Sequence, residues 1–368
     1  VGSTRVPFNR LKPLFEKHGD EYERAALGVL RSGSYILGEQ VEAFEREFAA
    51  FVGTEHCVSV NSGLDALRLA FQGLGIGPGD EVVVPANTYI ASALGVSLNG
   101  ARPVFAEPDA WFTLDPREAR RAINEKTKAI LPVHLYGQSC DMGSLCSLAE
   151  ETGLAVVEDC AQSHGALFDG RMTGSFGKAG CFSFYPTKNC GAFGDGGAVT
   201  TDDAGLAERL RRLRHYGMDG KGGHLAAGWN SRLDEIQAAL LRVRLRHLGE
   251  NLAARREAAE RYLAGIRNPA IELPAVREGA NHTWHLFVVR CPARDALESW
   301  LSGRGIETKV HYPVPPHMTP VYREPGAGPG DLPVTERMAS EILSLPLFEG
   351  MTAEQADWVI ESLNAFPG

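Results

Sequence analysis

One lysine stands in a setting that would change its chemistry. In Phe182-Ser183-Phe184-Tyr185-Pro186-Thr187-Lys188-Asn189 an apolar, strand-like run breaks at a proline and delivers Lys188, and glycines at 191, 194, 196 and 197 follow. Proline ends the ladder, and glycine lets a flat ligand approach the backbone. A lysine withdrawn from water in such a place loses basicity and becomes a nucleophile toward carbonyl carbon. A second group is Glu158-Asp159-Cys160-Ala161-Gln162, which follows the apolar LAVV at 154–157. Asp159 therefore stands at the carboxyl end of a strand, where open α/β sheets bind ligands; capping the next turn is its other possible use. A third is Asn61-Ser62-Gly63, between the strand-like CVSV and the helix-like LDALRLAFQGL. A helix N-terminus presents unpaired N–H groups and so offers a phosphate seat, to which the Ser62 hydroxyl would add a donor; the same residues would serve equally as ordinary caps.

These groups need a scaffold, and the sequence supplies one. Strand-like runs at 57–60, 81–85, 101–105, 128–133, 154–159, 180–185 and 196–201 alternate with helix-like stretches at 64–74, 88–100, 115–123, 142–153 and 204–214. Several runs are almost wholly apolar, as expected of strands covered on both faces. The pattern predicts an α/β fold with a mainly parallel central sheet over roughly 1–245. From Asp234 the texture changes to a long charged helix bent near Leu248-Gly249, then HLFVVR at 285–290 and helices near 293–302, 333–343 and 352–365. This predicts a smaller C-terminal α/β domain over 246–368, with the Pro- and Gly-rich 311–333 stretch crossing the surface near a cleft.

Composition removes other classes. The 368 residues, 44% hydrophobic and 23% charged, can bury a sizeable core. Thirty-seven Lys plus Arg against 46 Asp plus Glu give a net charge of −9, with no basic block, so neither nucleic acid nor an anionic membrane is an expected partner. No apolar run is long enough to span a bilayer, and VGSTRVPFNR contains no apolar signal core, so a cytoplasmic location is expected. Seven cysteines without a CxxC pair argue against a disulfide framework or a zinc ribbon. His311 and His317 lack the spacing of a metal site, so no metal is expected.

EDCAQSHGA at 158–166, FSFYPTKN at 182–189, GDGGAV at 194–199 and NSRLDEIQAA at 230–239 resemble the signature segments of the DegT/DnrJ/EryC1/StrS family, the sugar aminotransferases of fold type I that use pyridoxal phosphate. The likeness runs from Arg5-Val6-Pro7-Phe8 to Leu343-Ser344-Leu345-Pro346. The resemblance implies that Lys188 holds the cofactor covalently and that Asp159 pairs with the ring nitrogen. It implies phosphate contacts from Ser62, Gly63 and Ser183, with Asn230 reaching across from the partner subunit of a homodimer. Tyr89 would lie against one face of the ring, Gln162 would border its hydroxyl side, and the N-terminal segment would pack on the small domain. Tyr35, Tyr216, His311 and Tyr312 would line the sugar and nucleotide cleft. Relatives take the amino group from L-glutamate, leaving 2-oxoglutarate, and cycle through pyridoxamine phosphate.

The implied reaction is amination of a nucleotide-linked keto-deoxysugar to an amino sugar, of the kind found in antibiotic biosynthesis. Similarity is greatest to desosamine-type enzymes acting on a dTDP-3-keto-6-deoxyhexose, and a 4-keto substrate is the alternative. A deoxysugar dehydratase of the same family would replace the cofactor lysine by histidine, whereas Lys188 is present. A non-catalytic regulator would add a basic DNA-binding module, and a nicotinamide dehydrogenase would show G-x-G-x-x-G where Asn61-Ser62-Gly63-Leu64-Asp65 stands.

Overall fold

The computed structural model describes residues 5–323 and 328–368. Its strands are β1 (His56–Val60), β2 (Glu81–Pro85), β3 (Arg102–Ala106), β4 (Thr127–Ile130), β5 (Ala155–Asp159), β6 (Leu167–Phe168), β7 (Arg171–Met172), β8 (Ala179–Ser183), β9 (Gly197–Thr201), β10 (Ala280–Asn281), β11 (Phe287–Arg290) and β12 (Ile342–Leu345). Seven of them form one sheet in the order β1-β9-β8-β5-β4-β2-β3. All its pairs are parallel except the two that β9 makes with β1 and β8. The mainly parallel sheet read from the sequence is therefore present, with helices covering it. β2 and β9 are buried along their whole length, which is why their sequences lack the polar alternation of a half-exposed strand.

The site owes its position to chain reversals at one end of this sheet. Ser62 caps the helix Gly63–Gly73 directly after β1, Tyr89 precedes the helix Ile90–Ser97 after β2, Asp159 ends β5 and Ser183 ends β8. Parallel strands joined by helices bring their carboxyl ends together, so residues more than a hundred positions apart share one cleft.

The long C-terminal helix is two helices, Glu235–Arg246 and Leu248–Gly265, parted at His247, one residue before the expected bend. β11 and β12 pair antiparallel in the C-terminal part. Val6 pairs with Ile306 and lies in the apolar cluster of Phe287, Leu301, Leu345 and Val359. Two N-terminal helices, Lys12–Ser32 and Glu39–Val52, had not been expected. The second starts on a buried carboxylate: the N–H groups of Gly38, Gln40 and Val41 donate to Glu235 at 2.8–2.9 Å. That cap comes from a residue almost 200 positions away and leaves no local signature.

Candidate active site

A cleft of about 550 Å³ opens at the carboxyl ends of β1, β2, β5 and β8, and Lys188 and Asp159 both line it. Burial lowers the Lys188 ammonium to about 8, with Asp159 opposing the drop. Near neutral pH a useful fraction of this amine is therefore unprotonated and nucleophilic. Its loop is anchored by the next residue. Asn189 is fully buried, donates to the Thr283 carbonyl at 3.1 Å, and its own carbonyl accepts from Arg244 and Asn251 at 3.0 Å each.

The two acids of Glu158-Asp159 point to different tasks. Glu158 is sealed, accepting from the N–H groups of Gly174, Phe176 and Gly177 and pairing with His134 at 3.0 Å, so its capacity is spent on the fold. Asp159 lines the cleft. Its main chain is fixed by Asp159 N–H to Pro132 O at 2.8 Å and His134 N–H to Asp159 O at 3.1 Å. Burial pushes its carboxyl up, and hydrogen bonds from Ser92 and the Ala161 N–H, then the Lys188 charge, pull it back.

The floor between β1 and β8 has the donors of a phosphate seat. Ser62 Oγ accepts from Asp65 N–H at 3.1 Å and Ser183 Oγ from Tyr185 N–H at 3.3 Å. Each hydroxyl thereby keeps its own proton for a ligand. Gly63 is required where it stands, since a Cβ there would meet the Ser183 Cβ at 2.5 Å. Opposite, Gln162 accepts from Tyr136 N–H at 2.7 Å and donates to the Tyr312 hydroxyl at 3.0 Å, while the Tyr89 and Tyr312 rings lie 4.9 Å apart. His311 Nδ1 and Ser344 Oγ are 2.8 Å apart, and the His311 carbonyl accepts from the Tyr136 hydroxyl.

Ser62, Gly63, Tyr89, Asp159, Gln162, Ser183, Lys188, His311 and Tyr312 thus face a single cleft. Tyr35, Tyr216 and Asn230 are not part of its lining and lie exposed on the surface. The sequence reading missed Phe8, Thr88, Ser92, His285 and Lys309, which also line it. None had a local signal: Ser92 meets Asp159 across 67 positions, and Phe8 reaches the cleft because the N-terminal segment pairs with Ile306.

Residues 16–364 match the DegT/DnrJ/EryC1/StrS aminotransferase family. The chain belongs to that family. It is 51% identical over 361 residues, covering 98% of this chain and 95% of the relative, to the dTDP-3-amino-3,4,6-trideoxy-alpha-D-glucose transaminase of Streptomyces venezuelae. Among solved structures, that of S. venezuelae DesV in complex with a ketimine intermediate superposes with a TM-score of 0.96 at 51% identity, covering 98% of both chains. NtdA of Bacillus subtilis with bound cofactor PMP superposes at 0.91, with 32% identity over 98% of this chain and 84% of that one. Among the described residues no helix is long and apolar enough to cross a membrane.

Proposed function

We propose that this aminotransferase moves an amino group from L-glutamate onto C3 of a dTDP-linked 3-keto-6-deoxyhexose, using pyridoxal phosphate. The observation that supports it best is the cleft: one half-buried lysine of lowered basicity, a buried carboxylate and two serine hydroxyls with unspent protons line the same cavity. That donor set fits an aromatic aldehyde bearing a phosphate, and the close approach of Gly63 to Ser183 admits no Cβ at position 63. When bound, this cofactor supplies an electron sink that stabilises negative charge at the carbon losing a proton. Lys188 would hold the cofactor by its Nζ, and its amine would remove and return the proton at the carbon bearing the transferred amino group. Asp159, ionised, accepts from the ring N–H and keeps it protonated. Ser62, Ser183 and the N–H groups at the start of the helix Gly63–Gly73 grip the phosphate. Tyr89 covers one ring face and Gln162 donates toward the ring hydroxyl, while His311 and Tyr312 border the sugar. The chain divides, on this reading, into a cofactor-holding part at 1–245 and a smaller one at 246–368, which Val6 joins through its apolar cluster.

The substrate is tested by incubating purified enzyme with glutamate and a panel of dTDP-3-keto and dTDP-4-keto sugars, and identifying the product by NMR. Amination at C3 is the expected result. Exclusive amination of a 4-keto sugar would overturn this reading.

The working unit is a homodimer in which Asn230 of each chain completes the phosphate seat of the other. Exposure of Asn230, Tyr35 and Tyr216 outside their own cleft supports this. One hydrogen bond to a charged acceptor is worth about 1.5–3 kcal/mol, so Asn230→Ala is expected to weaken cofactor retention by roughly tenfold or more. At a cofactor concentration too low to load Asn230→Ala, mixing it with Lys188→Ala under subunit exchange puts both lesions in one site of the heterodimer and neither in the other, so activity rises above that of either variant alone. No recovery despite demonstrated exchange would remove Asn230 from a shared site.

A further inference from the structure

Asp159 must hold a negative charge in a place that disfavours one. Its side chain is buried, and a carboxylate taken from water keeps its charge only if donors replace the lost solvation. Two donors are in place: the Ala161 N–H at 3.1 Å from Oδ1 and the Ser92 hydroxyl at 2.7 Å from Oδ2. Ser92 is itself 2.7 Å from the hydroxyl of Thr88, and both side chains are buried at the edge of the cleft.

The polarity of this chain follows from its end. An ionised carboxylate can only accept, so the single Ser92 proton goes to Oδ2. Ser92 Oγ then has no proton for Thr88 and accepts from it, which gives one direction: Thr88 to Ser92 to Asp159. A carboxylate offers about four acceptor sites, so these donors leave room for a ring N–H. The backbone of Asp159 is locked from both sides, as given above, and the remaining freedom is the rotation of its carboxylate. Ser92 and Ala161 remove that freedom by holding one oxygen each.

We propose that Ser92, itself oriented by Thr88, is a positioning residue that keeps Asp159 ionised and aimed into the cleft. This rests on the reading of Asp159 as the partner of the cofactor's ring nitrogen. Thr88, which also lines the cleft, meets Asp159 only through the Ser92 hydroxyl.

The test uses the holoenzyme carrying Ser92→Ala, Thr88→Val, the pair together, and Ser92→Thr, with cofactor dissociation, the pH titration of the bound cofactor's absorbance and kcat as readouts. Removing a hydrogen bond to a charged group corresponds to about a tenfold change or more. Ser92→Ala is therefore expected to lower kcat and weaken cofactor retention about tenfold, and to move the absorbance titration by about one pH unit, the equivalent of tenfold in a protonation equilibrium. Thr88→Val has a smaller effect of the same kind. In the Ser92→Ala background Thr88→Val adds nothing, because the link through which it acts is gone. Ser92→Thr restores the hydroxyl and with it the titration. Independent, multiplicative effects of the two changes, or an unmoved titration in Ser92→Ala, would overturn the proposal and reduce both hydroxyls to packing of the helix start. Asp159→Asn run alongside separates the two levels. If it leaves titration and turnover at wild-type values, the reading of Asp159 fails; if it impairs both while Ser92→Ala impairs neither, only the positioning role fails.

Discussion

Lys188→Ala enzyme, supplied with cofactor and both substrates, is expected to lose at least about 10⁴-fold in turnover, since the group that both holds the cofactor and moves the proton is gone. The protein nevertheless folds. Lys188 is half-buried, and its removal from water lowers its pKa to about 8 in the folded chain. Because the unfolded chain binds that proton more tightly, the residue depresses stability below this value and the loss is recovered as pH rises from about 8 toward the ordinary lysine value. The cofactor-free alanine variant is therefore expected to melt no lower than cofactor-free wild type at neutral pH. The same lowering sets a kinetic signature. Capture of the cofactor by the wild-type apoenzyme requires the free amine, so its rate rises with pH through about 8 instead of through the 10.5 of an ordinary lysine. Borohydride reduction and peptide mapping check the attachment directly, and a cofactor found on any other lysine would sink the assignment.

What the sequence revealed and what it hid divide along a physical line. Lys188, Asp159 and Ser62 could be found because each lies where a strand ends, and strand ends announce themselves by composition: the apolar run stops, and proline, an acid or glycine follows. The sheet was legible for a related reason, since β2 and β9 are buried along their length and their sequences, Glu-Val-Val-Val-Pro and Gly-Ala-Val-Thr-Thr, show no alternation of exposed polar residues. The N-terminal helices were harder, because the cap of the helix Glu39–Val52 is Glu235, and no local pattern encodes a partner so remote. Ser92 was hidden in the same manner. It lies within a mostly apolar helical stretch as an ordinary small residue, and only the meeting of β2 and β5 across β4 gives its hydroxyl a carboxylate to serve. His285 and Lys309 enter the cleft from the C-terminal part, whose placement against the sheet no periodicity foretells.

Asp159→Asn separates charge from shape in the same cleft. The carboxylate accepts from two donors, the Ala161 N–H and the Ser92 hydroxyl. An amide can keep both contacts: its oxygen accepts from Ala161, and its nitrogen donates to Ser92 Oγ, which then turns its proton toward Thr88. The chain of hydroxyls reverses without leaving a buried group unpaired, so the geometry survives. Burial had raised the Asp159 carboxyl, and a raised carboxyl binds its proton more tightly in the folded chain, so the ionised group costs stability once pH exceeds its unfolded value. A neutral amide lifts that cost, and the apo variant is expected to be at least as stable as wild type near neutral pH. Function fares differently. The amide offers no charge to the ring nitrogen, and its acceptor oxygen is already committed to Ala161. Removing one preorganised electrostatic contact of this kind costs about 10²–10³ in kcat, so a well-folded, slow enzyme is the expected result. Near-normal turnover, measured beside an unchanged melting temperature, would show instead that Asp159 merely caps the turn at the end of β5.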